Sequence, residues 1–344
     1  VTEPVVNGTC SQELQRPMLS LERGNSPKLG IGGSSLPHAG GMLCGPAPPP
    51  ARERYVPLPD FKTATIVFHE QLGSGTYGQV HRCTIAGFTC AVKSIERPIT
   101  LSKHENDILD REVTILESMS HKNIVTYLGH EIREKTLRLF MEYIPHSLHS
   151  CVVQQQMTNR PFAMTHIAEI ALGVARGLKY LHSMKPPIVH RDIKCNNVLV
   201  SLSEGPKRFP RVALCDFGVS KVVAGTACRT VVGTPGFIAP EVIGNQSNAA
   251  YTEKADIWSY GVLLNNVLTL ELPRQMMQIQ NWQHKGNHSS KKEHYPGALP
   301  KIPDALRGPY QPIINFIDAC TRVDPKSRPS ATEIVVALTD LGDY

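Results

Sequence analysis

The stretch Ile188–Val200, IVHRDIKCNNVLV, decides how the rest of the chain is read. It carries His190, Arg191, Asp192, Lys194 and Asn197 between two short apolar runs, and Asn197 follows Asp192 by five residues. Asp216-Phe217-Gly218 comes 24 residues after Asp192, directly behind the strand-like run RVALC (Arg211–Cys215). Upstream, Gly73-Ser74-Gly75-Thr76-Tyr77-Gly78-Gln79-Val80 is a GxGxxG pattern, weak on its own because dinucleotide-binding turns share it. In such a turn the third glycine opens a helix. Here GQVHRCTI and FTCAVK read as paired strands, so the glycines mark a hairpin over phosphates, where a side chain would hold the amides away from the oxygens. Taken alone, a plain hairpin turn is the simpler reading. Ala91-Val92-Lys93 then adds a strand lysine.

Composition bounds the answer. Of 344 residues, 41% are hydrophobic and 19% charged, enough for a sizeable core. The formal charge of +6 is too small to argue for nucleic acid. The nine cysteines are dispersed without a CxxC pair, which predicts reduced thiols and a cytoplasmic setting. The first twenty residues lack the apolar block of a signal peptide. The best apolar stretch, Tyr260–Leu270, is interrupted by Asn265 and Asn266, so no membrane insertion is expected.

Residues 1–59 contain 10 prolines and 8 glycines and show no apolar periodicity, which predicts a disordered tail with a net charge of +1. The remaining +5 falls in residues 60–344. From about Phe61, short runs rich in β-branched and aromatic residues, separated by glycines, predict an antiparallel meander. Leu109–Met119 has helical spacing, and Thr165–His182 places Ile167, Ile170, Ala171, Val174, Leu178 and Leu181 on one helical face. Strands first and helices afterwards predict an α+β chain with a small β-rich lobe and a larger helical one.

With HRDIKCNN, DFG, the glycine loop and AVK in this order, the chain resembles the eukaryotic protein kinase superfamily, over roughly Phe61–Leu341. Gly233–Glu241 (GTPGFIAPE), DIWSYG (Asp256–Gly261) and DPKSRPSA (Asp324–Ala331) extend the likeness. The resemblance implies a bilobal kinase fold, with an N-lobe over 60–141, a hinge over 142–145 and a C-lobe over 146–344. It implies ATP and Mg²⁺ as cofactors and protein serine or threonine as substrate. Asp192 would accept the substrate hydroxyl proton, Lys194 would steady the transferred phosphoryl group, and Lys93 would reach the α and β phosphates, held by Glu112, with Glu105 and Glu117 as competitors for that role. Asn197 and Asp216 would hold the metal. Leu72, Gly73, Ser74, Gly75, Thr76, Tyr77 and Gly78 would cover the nucleotide, with Val80, Ala91 and Leu199 around adenine. Met141 would be the gatekeeper, and the backbones of Glu142 and Ile144 would meet the adenine edge. His190, Asp256 and the pair Glu241–Arg328 would be scaffold.

Lys194 and Thr234 favour serine/threonine specificity; HRDIKCNNVLV resembles tyrosine-kinase-like and STE kinases, whereas GTPGFIAPE also resembles calmodulin-dependent and Roco kinases, so the subgroup stays open. Thr230 or Thr226 would be the site of an upstream kinase, with Arg191 as phosphate partner. Ser203–Arg211 and Pro273–Pro312 read as solvated loops longer than a compact kinase needs, with a partner or substrate docking surface as the sharper alternative. A pseudokinase would show a degraded lysine, HRD or DFG, and none is degraded here. A small-molecule kinase fits the GTPGFIAPE segment and helical C-lobe poorly.

Overall fold

The computed structural model describes residues 64–75, 78–96, 113–134, 136–203, 209–218, 220–222, 233–243, 252–271, 299 and 301–340. Strands β1 (Ile66–Gly75), β2 (Gly78–Ile85), β3 (Phe88–Glu96), β4 (Tyr127–Arg133) and β5 (Thr136–Glu142) form one antiparallel sheet in the order β1-β2-β3-β5-β4. The central position of β3 follows from its residues. Cys90, Ala91, Val92 and Lys93 are buried in succession, so both faces of the strand are covered. Cys90 and Val92 pack with Cys83, Ile85 and Phe140 on one face. Lys93 and Ala91 point to the other, opposite Val80 and Met141 in register. The β1–β2 hairpin closes with Gly75 opposite Gly78. Gly78 has φ +130°, and a Cβ there would stand 2.1 Å from the Ser94 carbonyl oxygen, so the hairpin demands glycine.

Residues 113–117 are helical (α1), the described part of the helix expected over Leu109–Met119; Ile115 and Leu116 enter the main core. After β5 the chain passes through Tyr143–Pro145 into β6 (His146–Ser147) and α2 (Leu148–Thr158). The Ser147 side chain caps α2 by accepting the Ser150 N–H at 3.1 Å. Helix α3 (Met164–Ser183) buries the residues its spacing singled out: Ile167, Ile170, Ala171, Val174, Leu178 and Leu181. Then come β7 (Ile188–Val189), a 3-10 turn (Cys195–Asn197), β8 (Val198–Ser201), β9 (Arg211–Leu214) and β10 (Lys221–Val222). Two small sheets, β6-β8-β9 and β10-β7, flank the loop that carries Asp192.

The helical remainder is α4 (Pro240–Ile243), α5 (Glu253–Thr269), α6 (Gln311–Cys320) and α7 (Ala331–Asp340). Helix α5 is buried on all sides from Ala255 to Leu268 and forms the axis of this half. The expectation of an irregular Pro273–Pro312 is corrected at its end: Asp304–Leu306 and Gly308–Tyr310 are 3-10 turns that lead into α6. Residues 272–298 and the insertion core 204–208 lie outside the described residues, as does the predicted tail. No helix among the described residues is long and apolar enough to cross a membrane.

Candidate active site

The loop after β7 is held from below. Asp256, in the first turn of α5 and fully buried, accepts the backbone N–H groups of His190 and Arg191 at 2.8 Å each and contacts His182 Nε2 at 2.9 Å. Burial opposes its ionised form. The hydrogen bond and charge of His182, with His190 and the Arg191 amide, outweigh that and hold the Asp256 carboxyl below the usual carboxylate range. This anchoring supports Arg191 at φ +69°, a conformation few side chains adopt unaided. His190 is fully buried as well. Its Nε2 lies 3.1 Å from the Cys215 carbonyl and its ring 5.0 Å from that of Phe217, so it packs as expected of scaffold.

Asp192 stands at the centre of a closed set of polar contacts. Its Oδ1 accepts from the Thr234 N–H at 3.0 Å and the Thr234 hydroxyl at 2.7 Å. Its Oδ2 accepts from Lys194 Nζ at 2.7 Å and Asn197 Nδ2 at 2.9 Å. Lys194 Nζ also donates to Thr234 Oγ1 at 2.7 Å. Thr234 reaches this position because Gly233, at φ +114°, lets the chain pass the Arg191 carbonyl, where a Cβ would come within 2.6 Å. The segment is fixed on its far side by Ser259 Oγ, which donates to the Phe237 carbonyl at 2.7 Å.

Asp216 adjoins this cluster through the ends of β8 and β9. The Cys215 N–H donates to the Asn197 carbonyl at 3.0 Å, which keeps Asn197 and Asp216 side by side. Lys93 Nζ donates to Asp216 Oδ1 at 3.1 Å. Burial works against the Asp216 carboxylate, yet the charge and hydrogen bond of Lys93, assisted by His190 and the Gly218 amide, keep the carboxyl below its ordinary range. Burial is also the main reason the Cys215 thiol is pushed up, helped by the neighbouring Asp216 charge.

The structure therefore brings together Asp192, Lys194 and Asn197, and joins Lys93 to Asp216. Val80, Ala91, Lys93 and Met141 share one face of the sheet; Gly73, Ser74 and Gly75 close β1, with Leu72 exposed beside them. Ile144 is buried just beyond β5, and Leu199 is half-buried on β8 opposite Ala213. Thr76, Tyr77, Glu112, Thr226 and Thr230 lie outside the described residues. The Glu142 backbone, expected to face adenine, has its N–H engaged otherwise, with the Thr126 carbonyl at 2.9 Å. Sequence reasoning assigned no role to the Glu142 side chain or to Arg211. It had named Thr234 for specificity without placing it on Asp192, and the glycine before it was the available signal.

Away from this cluster, Arg328, 2% exposed, forms the expected pair with Glu241 through two bonds of 2.7 and 2.8 Å and lies 5.0 Å from the Trp258 ring centroid. Residues 66–337 match the family described as Protein kinase domain. The chain belongs to the protein kinase domain family. Among curated proteins, this kinase domain is 37% identical over 289 residues to "Kinase and exchange factor for Rac B" of Dictyostelium discoideum, covering 82% of the chain and 24% of that relative. It is 35% identical over 211 residues to "Serine/threonine-protein kinase CTR1" of Arabidopsis thaliana, covering 59% and 24%. It is 32% identical over 271 residues to "Mitogen-activated protein kinase kinase kinase 3" of Arabidopsis thaliana, covering 77% and 40%. The kinase domain thus spans well under half the length of these relatives. Family membership brings the bilobal α+β fold, with the antiparallel sheet as N-lobe and the α2–α7 region as C-lobe.

Proposed function

We propose that the chain is an active serine/threonine protein kinase domain that transfers the ATP γ-phosphoryl group to protein hydroxyls. The observation that carries this reading is the convergence of Lys194, Thr234 and Asn197 on the Asp192 carboxylate. Asp192 accepts the proton of the incoming hydroxyl and orients its oxygen for in-line attack. Lys194, 2.7 Å away, supplies positive charge where the phosphoryl group passes. Positioning and charge neutralisation account for most of such a rate enhancement, because the reaction needs little covalent assistance.

Lys93 meets the α and β phosphates, and the glycine hairpin covers them with backbone amides. Asp216 and Asn197 suit Mg²⁺ by donor chemistry. Both offer oxygen, the hard ligand this ion takes, and with the Asn197 amide nitrogen donating to Asp192, the amide oxygen is the atom that would serve as ligand. When bound, Mg²⁺ neutralises phosphate charge. Ala91, Val80 and Leu199 enclose the adenine, Met141 lies at its back, and Glu142 and Ile144 border its edge. Residues 60–344 constitute the catalytic body behind the 1–59 tail, in a cytoplasmic protein. An upstream kinase acts on Thr230 or Thr226 and Arg191 receives the phosphate.

The test is a radiolabelled ATP assay of the wild type and Asp192→Asn on an arrayed peptide library. The wild type labels serine or threonine peptides. The variant loses about 10³-fold in kcat while nucleotide affinity changes by no more than a few fold. Retained turnover in Asp192→Asn contradicts the assignment.

A further inference from the structure

Glu142 ends β5 and faces Cys90 of β3 in register. Its side chain reaches Thr126, at the end of the loop His121–Thr126. The Thr126 N–H and hydroxyl both donate to Glu142 Oε1, at 2.7 and 2.8 Å, while the Glu142 N–H donates back to the Thr126 carbonyl at 2.9 Å. Arg211, the first residue of β9, donates through Nη2 to the same Glu142 Oε1 and to the Ile124 carbonyl at 3.2 Å. The loop is also laced to β9. The Val125 N–H donates to the Leu214 carbonyl at 2.8 Å, the Leu214 N–H to the Asn123 carbonyl at 3.0 Å, and Asn123 Nδ2 to the Val212 carbonyl at 2.8 Å. Strand β9 runs directly into Cys215 and Asp216. A continuous set of hydrogen bonds therefore joins the adenine edge to the residue that pairs with Lys93.

We infer that Arg211 is a positioning residue for nucleotide binding: through Glu142 and the Ile124 carbonyl it fixes the strand before the hinge relative to the strand that delivers Asp216. Both bonds leave one nitrogen, Nη2, whose two hydrogens are fixed in the guanidinium plane and so set the directions of both acceptors, whereas an ammonium rotates freely. The Lys93–Asp216 contact and this strut stand together in the structure. With side chains 21% and 27% exposed, Arg211 and Glu142 are partly screened by water, so their effect lies in geometry more than in global stability.

The inference rests on the nucleotide-binding reading above, and its test separates the two. Wild type, Arg211→Ala, Arg211→Lys, Glu142→Gln and the double variant Arg211→Ala/Glu142→Gln are compared for KM of ATP and kcat. Amide hydrogen exchange at Val125, Glu142 and Leu214 is measured without nucleotide. In Arg211→Ala the KM for ATP rises roughly tenfold, the scale of a partly screened charged hydrogen bond, with a smaller fall in kcat. The lysine variant recovers only part, the double variant is no worse than Arg211→Ala alone, and the three amides exchange faster. An unchanged KM, additive effects in the double variant, or a kcat above wild type overturns the inference. If the wild type neither binds nor uses ATP, the proposed function fails and the nucleotide role of Arg211 falls with it; if it does use ATP, unchanged exchange in Arg211→Ala overturns the strut while the proposed function stands.

Discussion

Four hydrogen bonds converge on the two carboxylate oxygens of Asp192, and each donor depends on where a single residue is allowed to stand. Thr234 is the most demanding, since its approach requires the positive φ of Gly233 and the absence of a Cβ 2.6 Å from the Arg191 carbonyl. Gly233→Ala is expected to shift Thr234 off Asp192 and to lower kcat by at least about tenfold, with the KM for ATP little altered. Steady-state kinetics with varied ATP check this; an unchanged kcat would show that the turn tolerates the methyl group. At this scale the sequence was informative where chemistry is local. Asp192, Lys194 and Asn197 lie within six residues, so their meeting was legible. Arg211 and Glu142 are 69 positions apart and lie on different strands, and nothing in one-dimensional spacing reveals that their side chains touch.

Helices α3 and α5 show why some elements declare themselves by period and others only by resemblance. Helix α3 covers the core with one face, so its apolar residues recur with the helical period and could be read directly. Helix α5 is enclosed on every side, so its sequence has no polar face to reveal a period, and Asn265 and Asn266 looked like interruptions although both are buried within it. Asp256 ties this helix to the loop of Asp192 and gives the element a pH signature. Its carboxyl is held below the ordinary range in the folded state, so the fold favours the ionised form. That stabilisation is complete above the unfolded carboxylate value, near pH 4, and is lost as pH falls through the folded value. Asp256→Asn should therefore cost about 2–4 kcal/mol at neutral pH. The gap in Tm from wild type should be wider near pH 5 to 6 than in stronger acid and narrow below about pH 4. Thermal melts across this range measure it, and a gap that widens in acid would reverse the sign argued here.

Across the whole molecule, the groups assigned to nucleotide come from both lobes: Lys93 from the sheet, Asp216 and Asn197 from the C-lobe. A ligand that touches both stabilises the folded chain as a unit. A non-hydrolysable ATP analogue with Mg²⁺, at about a hundred times its Kd, adds ~2.7 kcal/mol, which corresponds to a rise in Tm of several degrees for a body of this size. Asp192→Asn should keep that shift and Lys93→Met should lose most of it. A fluorimetric melt in which both variants respond like wild type would detach Lys93 from the nucleotide. The lobed plan was legible because strands precede helices along the chain. The bonds that tie the lobes together beside the hinge were not, because they are side-chain and backbone contacts between distant segments.

The His190 and Arg191 amides hang from a carboxylate on a helix enclosed by the core. The thirteen residues that identify this chain are therefore not a portable cassette. Transplanted onto another scaffold, IVHRDIKCNNVLV would carry its letters without its shape, because the shape is stored in α5. Any redesign of the loop around Asp192 is consequently a redesign of the buried helix that suspends it.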